Sequence, residues 1–552
     1  MYTSNSGGIM ELTKKTIGQC LKDRAEQSGG HAAIEMGKWS CTYRRMDQIT
    51  DYLAAHMNRK YGIHKGTHVG IWSVNSPNWV FTFFALAKIG AVPILINTCY
   101  QQDEVKGILN YSDVEVLYYG SGYKGIVYDD IVAGIREETP KVRHFIHIDE
   151  KEGGTWMEED SFSARDTSQE SQERLAEIRN QVQAEDPACM IFTSGTTSLP
   201  KGVVLTHYNL VNNSRAIALA MGWNQEDKMC ITVPLFHCFG ITAGILACMQ
   251  AGASMYLIPY FKTAMVWDAI EKSCCTILNG VPSMFLALIR KPQYKERKAD
   301  TLRSGIIAGS PVSRDELKEI CGRFPNMHLR PSYGQTETSP CVSIADWDES
   351  NEEKSVSAGR VNEHIKVRIC SLETGEPVEG HEDGEIQVQG YNVMEGYYKL
   401  PQANEKAFTP DGWLRTGDIG HLDSRGEIHI TGRLKEMIIR AGENISPQEI
   451  EGVIRQLKWV CSVKVIGIPA EVLQEEIAAC IVPVPGCQVD EEELLRYLKP
   501  RLAHYKIPAY VLKFDKFPMN ASGKIHLKRL KEMAVEMVRQ KKAEQDAAKI
   551  KQ

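Results

Sequence analysis

The chain has 552 residues, too many for one compact core, so two or more domains are expected. Its formal net charge of −6 mixes both signs and builds no basic stripe, which argues against a nucleic-acid binder. The fifteen cysteines are scattered, with no C-x-x-C pair and no Cys/His cluster at zinc spacing, so reduced thiols in a cytoplasmic protein are expected.

Residues 1–15 have neither the basic start nor the apolar core of a signal peptide. From about residue 12 to 186, helical patterns at 46–61 and 79–89 alternate with strand patterns at 68–73 and 92–97. That order predicts crossover units and a largely parallel sheet covered on both faces. Asn75-Ser76-Pro77 supplies a polar cap and a proline suited to an opening helical turn. Two stretches, 79–96 and 241–258, are apolar enough to raise a membrane span. Lys88, Gly90 and Pro93 interrupt the first, and Gln250, Gly252 and Ser254 the second, so each reads as a buried helix running into a buried strand. No integral membrane segment is expected. Residues 150–185 are polar and read as a surface excursion.

At 188–202 the short apolar run Met190-Ile191-Phe192 breaks into a loop of small hydroxyl residues and glycines. One hydroxyl-rich turn is usually a polar surface turn. Here Thr193, Ser194, Thr196, Thr197 and Ser198 stand with Gly195, Lys201 and Gly202 in a single decapeptide, which favours a phosphate cradle. Glycine lets main-chain N–H groups approach an anion, hydroxyls add donors, and lysine adds a point charge. The Walker pattern does not fit, since Lys201 lies between Pro200 and Gly202.

A second alternating half follows, with strand candidates at 228–233, 253–258, 276–279 and 304–307, ending at Tyr333. Short alternating runs with hairpin punctuation over 342–430 read as a small barrel. The texture then changes. Ser446-Pro447-Gln448-Glu449 reads as a capping box, and Ile450, Val453, Ile454 and Leu457 recur at helical spacing. Strands at 462–468, 477–482 and 510–514 and a helix at 491–502 complete a small α+β unit beginning near Lys435. Residues 531–552 read as a charged helix with a solvated face, or a frayed tail.

The decapeptide TSGTTSLPKG resembles the phosphate loop of the adenylate-forming (AMP-binding) superfamily, which includes acyl-CoA synthetases. Tyr333-Gly334-Gln335-Thr336-Glu337, Thr416-Gly417-Asp418, Gly432-Arg433-Leu434-Lys435 and Ser522-Gly523-Lys524 extend the resemblance in the family's order over nearly the whole chain. Ser198 stands where the family usually has glycine. The resemblance implies an α/β fold: a large N-terminal AMP-binding domain, 1–434, of two parallel-rich sheet subdomains and a small β-barrel, then a small mobile α+β C-terminal domain, 435–552.

It also implies a chemistry, attack of a carboxylate on the α-phosphate of ATP, with ATP, Mg²⁺ and CoA as ligands. Thr193, Ser194, Gly195, Thr196, Thr197 and Lys201 would hold the β- and γ-phosphates, and Glu337 would ligate magnesium, because a hard dication prefers carboxylate oxygen. By resemblance Tyr333, within Tyr333 to Thr336, stacks on adenine opposite Gly309-Ser310-Pro311. Asp418 takes the ribose hydroxyls, and Arg433 holds ribose or phosphate oxygens. Lys524 reaches the attacking carboxylate and the α-phosphate. A hinge at Lys435 then swings the small domain, so that its face around Gly442 admits the thiol of CoA.

Taken singly, each of these residues has an ordinary alternative: a turn residue for Asp418, a surface ion pair for Arg433, a solubilising lysine for Lys524 and a satisfied core histidine for His237. His237 falls where the family often places an aromatic or histidine beside the acid. The expected acid-pocket stretches, 281–285, 306–309 and Ser332, carry no charged residue, which favours a neutral apolar tail.

The expected function is an ATP-dependent acyl-CoA ligase for a fatty, medium-chain acid, with no nucleic-acid partner and the oligomeric state open between monomer and homodimer. Aryl- or bile-acid-CoA ligation, or acyl transfer to a carrier protein, is the alternative within that chemistry. A non-catalytic fatty-acid-binding protein is the alternative outside it.

Overall fold

The computed structural model describes residues 10–149, 169–193, 200–378, 380–440, 443–470, 474–502, 506–520 and 523–550. By packing, the chain forms two compact units: Met1–Lys366 with Val388–Leu414, and Val367–Gln387 with Arg415–Gln552.

In the first unit the cap expected at Ser76 opens the expected helix, and a second cap, at Thr42, opens another. Ser76 Oγ accepts from Trp79 N at 3.1 Å and Pro77 opens the helix Pro77–Lys88, every residue of which is buried. Thr42 caps Tyr43–Tyr61, three residues ahead of the apolar pattern that signalled it. The buried Lys88 ammonium joins these helices through Asp47, at 2.6 Å, and Asp51. Burial pushes its pKa down to about 8, against the opposing pull of Asp47.

Two sheets follow from the two alternating halves. The seven-stranded sheet runs Gly396–Tyr397, Lys201–Thr206, Pro187–Thr193, Val92–Leu95, His68–Trp72, Val116–Tyr119, His144–His147. It is parallel from Pro187–Thr193 onward, while Lys201–Thr206 and Gly396–Tyr397 join antiparallel. The nine-stranded sheet has Lys228–Ile231, Ile277–Leu278, Ser304–Ala308 and His328–Tyr333 as its parallel centre. The residues 241–258 form helical turns, Ile241–Leu246 and Ala247–Ala251, and then the strand Ser254–Leu257. Among the described residues no helix is long and apolar enough to cross a membrane.

The expected barrel over 342–430 is shorter than its pattern suggested. Ser343–Ile344 and Arg360–Val361 extend the nine-stranded sheet, and Gly396–Tyr397 adds to the seven-stranded one. Alternating hydrophobicity marks strands but not the sheet they join. A separate five-stranded sheet takes Pro377–Val378, Ile365–Cys370, Gly384–Gly390, Leu414–Leu422 and Ile428–Arg433, in that spatial order.

In the second unit, Val460–Ala470 and Gln474–Pro483 form a long antiparallel pair, with Tyr510–Lys513 parallel to the latter. One sequence expectation is corrected here. The capping box at Ser446 does not form: its hydroxyl donates to Thr431 O at 2.9 Å, and Glu449 pairs with Lys506 at 2.7 Å. Of the two readings of the terminal segment, the helix is the one found: Leu527–Ile550 is helical, and Leu530, Ala534 and Val538 recur every fourth residue and are buried with Ile466, Cys480 and Leu512. Packing also groups Arg415–Arg433 with the C-terminal residues.

Candidate active site

The expected strand before the hydroxyl-rich loop is present. Pro187–Thr193 and Lys201–Thr206 pair antiparallel with Thr193 opposite Lys201, so the intervening loop is closed at its base by these two residues. Ser194, Gly195, Thr196, Thr197 and Ser198 lie outside the described residues. Beside Lys201–Thr206 runs Gly396–Tyr397, with Val203 opposite Tyr397. This puts the Tyr397 ring under Lys201, whose Nζ is 4.2 Å from the ring centroid. The Tyr397 hydroxyl donates to Glu337 Oε1 at 2.9 Å. Lys201 and Glu337, 136 positions apart by numbering, thus share one aromatic side chain.

Glu337 sits in the single turn Thr336–Thr338 that follows the strand His328–Tyr333. Gln335 N donates to Thr338 Oγ1 at 3.0 Å and closes the turn, and Met394 N donates to Glu337 O at 2.9 Å. Gly334 is dictated by close approach: its φ is +157°, and a Cβ there would lie 1.6 Å from Pro340 O. Tyr333 is buried at the carboxyl end of its strand. Gly309, Ser310 and Pro311 are exposed just beyond the end of the neighbouring parallel strand Ser304–Ala308, where Ala308 is opposite Ser332. Crevices at the carboxyl ends of parallel strands are where open α/β sheets take ligands.

His237 opens the short helical turn Cys238–Gly240 and its Nδ1 accepts from Phe239 N at 3.3 Å, so the neutral ring carries its proton on Nε2. Cys238 Sγ lies 3.6 Å from His237 Nδ1 and 3.5 Å from Thr336 Oγ1, which joins this turn to the Glu337 turn. His237 is therefore beside the candidate site and half-buried there. Of the expected acid-pocket residues, Phe285 and Ile307 pack into the core cluster with Trp267 and Phe324, while Ser283, Ala308 and Ser332 are half-buried.

The second unit holds the remaining residues. Asp418 and Arg433 are directly opposite on antiparallel strands, and Arg433 Nε is 2.7 Å from Asp418 Oδ1. Asp418 is buried, and its N–H donates to Thr416 Oγ1 at 3.1 Å. Lys435 is exposed in the turn Leu434–Glu436. Its neighbour Glu436 meets Lys464 at 3.0 Å, and Lys464 meets the buried Glu451 at 3.1 Å. Lys524 ends a tight turn in which Asn520 N donates to Lys524 O and Lys524 N to Asn520 Oδ1, both at 2.8 Å, with Gly523 at φ +78°. Gly442 lies outside the described residues. Asp423, Glu427 and His429 also cluster with metal-ligand spacing, but the Arg425 guanidinium meets Glu427 at 3.1 Å and Asp423 at 3.5 Å and supplies the cation there.

The residue that sequence reasoning missed is Tyr397. Within the expected barrel, Gly396-Tyr397-Tyr398 suggests an edge strand only, and nothing local says that this strand pairs with the one bearing Lys201.

With this geometry in place, comparison with known proteins is decisive for the family. The model for AMP-binding enzymes matches residues 21–398, and that for the AMP-binding enzyme C-terminal domain matches 449–524. The chain belongs to the AMP-binding enzymes, the adenylate-forming family its motifs resemble.

Two relatives carry names that narrow the class. The chain is 38% identical over 547 residues to a protein of Bacillus subtilis (strain 168) named "Putative acyl-CoA synthetase YngI", covering 96% of this chain and 99% of that one. It is 32% identical over 542 residues to the human mitochondrial medium-chain acyl-CoA ligase ACSF2, covering 94% and 88%. Among solved structures, ATP-bound MatB from Rhodopseudomonas palustris superposes with a TM-score of 0.84 at 25% identity, over 95% of this chain and 100% of that one.

Proposed function

We propose that the protein is an AMP-forming acyl-CoA ligase, which converts a carboxylic acid and ATP to acyl-AMP and pyrophosphate and then passes the acyl group to CoA with release of AMP. The observation that carries this reading is the convergence of Lys201 and Glu337, a phosphate-binding cation and a carboxylate, on Tyr397 in a chain whose named relatives are acyl-CoA synthetases and ligases.

Each chain residue has a task in this chemistry. Thr193 and Lys201, with the loop between them, hold the β- and γ-phosphates of ATP. Tyr333 takes the adenine face against Gly309-Ser310-Pro311. Asp418, oriented by Arg433, accepts from the ribose hydroxyls. Glu337 fits a magnesium ion, since its carboxylate offers hard oxygen and its Oε1 is held by a neutral hydroxyl that leaves the negative charge intact. When bound, Mg²⁺ neutralises phosphate charge, so that an anionic acid can approach. His237, held in one tautomer, borders the acid. Lys524 stabilises the charge that develops between acid and α-phosphate.

We assign the moving part to 435–552, with Lys435 as hinge and the Gly442 face admitting CoA in the second step. The acid is a medium-chain fatty acid. ACSF2, at 32% identity, supports this, as does the absence of any charged residue in 281–285 and 306–309. The reaction runs in the cytoplasm, whose reducing conditions suit fifteen free cysteines.

The test is Lys524→Ala. The variant loses acyl-AMP formation by about 10²-fold or more but still makes thioester from supplied acyl-adenylate and CoA. Equal loss of both steps contradicts the division of labour, and no loss of either favours a binding protein.

A further inference from the structure

We propose that Tyr397 is a positioning residue of the phosphate site, its ring holding the Lys201 ammonium and its hydroxyl holding the Glu337 carboxylate. The proposal rests on the ligase reading of Lys201 and Glu337 and adds the group that couples them.

Lysine is a point charge on a flexible stem and reaches many positions unless something fixes it. Here the face of the Tyr397 ring, 4.2 Å from Nζ, fixes it. A carboxylate rotates about its last bond with little preference, and the 2.9 Å hydrogen bond to Oε1 removes that freedom. The partner that Tyr397 gives to each group is uncharged, so it neutralises neither the cation nor the anion.

Tyr397 is itself braced. Its N–H donates to Asn404 Oδ1 at 2.7 Å, and its carbonyl accepts from Asn404 Nδ2 at 3.1 Å, so one amide side chain holds both faces of its backbone. Next to it, Tyr398 N donates to Gly202 O at 2.8 Å and Tyr398 Oη to Asp113 at 2.6 Å. At the other end of the strand, along the same edge, Glu395 N donates to Val204 O at 3.1 Å. Such outer partners of a metal-binding carboxylate set how tightly the ion is held.

One side chain thus has two separable parts, and two substitutions divide them. Tyr397→Phe keeps the ring and removes the hydroxyl; Tyr397→Leu removes both. ATP binding to the full-length protein is measured by calorimetry without acid or CoA, in EDTA and across a Mg²⁺ titration, alongside thermal melting.

Tyr397→Phe is expected to melt with the native protein and to bind ATP in EDTA as the native protein does. It should need about tenfold more Mg²⁺ for half-maximal enhancement of ATP binding, the size of a lost outer-shell contact. Tyr397→Leu is expected to bind ATP more weakly even in EDTA, because Lys201 is no longer held. A native Mg²⁺ requirement in Tyr397→Phe overturns the proposal, as does an equal loss of ATP affinity with and without Mg²⁺. Failure of the native protein to bind ATP overturns the ligase reading and this inference together, a result distinct from either variant's failure.

Discussion

Arg433 Nε lies 2.7 Å from Asp418 Oδ1, across a directly paired position of two antiparallel strands. The pair is asymmetric, since Asp418 is buried and the Arg433 side chain is 45% exposed. Solvent therefore screens the ion pair, and its worth to stability is about 1 kcal/mol or less. Its value is geometric: one carboxylate oxygen is taken by Arg433, which sets the direction of the other. Asp418→Asn is expected to lose discrimination between ATP and 2′-deoxy-ATP, whereas the native protein prefers ATP by about tenfold, the loss of one hydrogen bond to a charged group. Competition binding with the two nucleotides measures this. An unchanged preference removes Asp418 from the ribose.

The turn bearing Glu337 tolerates no side chain at Gly334. A Cβ would meet Pro340 O at 1.6 Å, and backbone atoms on both sides would have to shift. Gly334→Ala is expected to destabilise by about 3 kcal/mol or more and to weaken Mg²⁺-dependent ATP binding. Chemical denaturation and calorimetry check the two effects. A native-like melt would mean that the turn relaxes easily.

Acid should loosen the segment that carries Tyr397. Partial burial alone raises the Asp113 pKa, but hydrogen bonds from Lys141, Lys399 and Tyr398 outweigh it and hold the carboxyl well below its ordinary value of 3.8. A depressed folded-state pKa contributes stability that is complete above the unfolded value and lost as pH falls through the folded one. The stability gap between native protein and Asp113→Asn is therefore expected to be constant from pH 7 to about pH 5 and to shrink below pH 4. Denaturation midpoints across that range measure it. A gap that widens on acidification contradicts the assignment.

The terminal helix is part of the core of the second unit. Leu530 is fully buried against the sheet strands, so Leu530→Ala is expected to cost about 2–5 kcal/mol. Substitution at exposed Arg539 should cost under about 0.5 kcal/mol. Thermal unfolding of the two variants compares them, and equal effects would mean that the helix is only a solvated tail.

The contrast between Ser446 and Ser76 shows what the sequence carried and what it did not. Ser76-Pro77 forms the cap its pattern announced, because the hydroxyl finds its acceptor role three residues on, at Trp79 N, within the pattern itself. Ser446 has the same local chemistry, yet its hydroxyl serves a carbonyl fifteen residues upstream, a partner no local pattern names. Lys201, Glu337, Asp418 and Lys524 stand out because they sit in motifs that resemble the family's in its order; taken singly, each has an ordinary alternative. Tyr397 was not, since its position depends on the pairing of Val203 with Tyr397, two residues almost two hundred apart in sequence. The terminal helix was legible as a helix, but its buried stripe was not, for a related reason. Every fourth residue of Leu530, Ala534 and Val538 is small or singly apolar among charges, and only the waiting sheet makes that stripe a core face.

The most direct test of the ligase reading is pyrophosphate release from ATP and Mg²⁺ across short, medium and long fatty acids, benzoates and a bile acid, each with and without CoA. The account predicts release stimulated by medium-chain fatty acids, with the matching CoA thioester formed. Release without thioester would direct the acyl group to a carrier protein, and no release with any acid would contradict the ligase reading altogether.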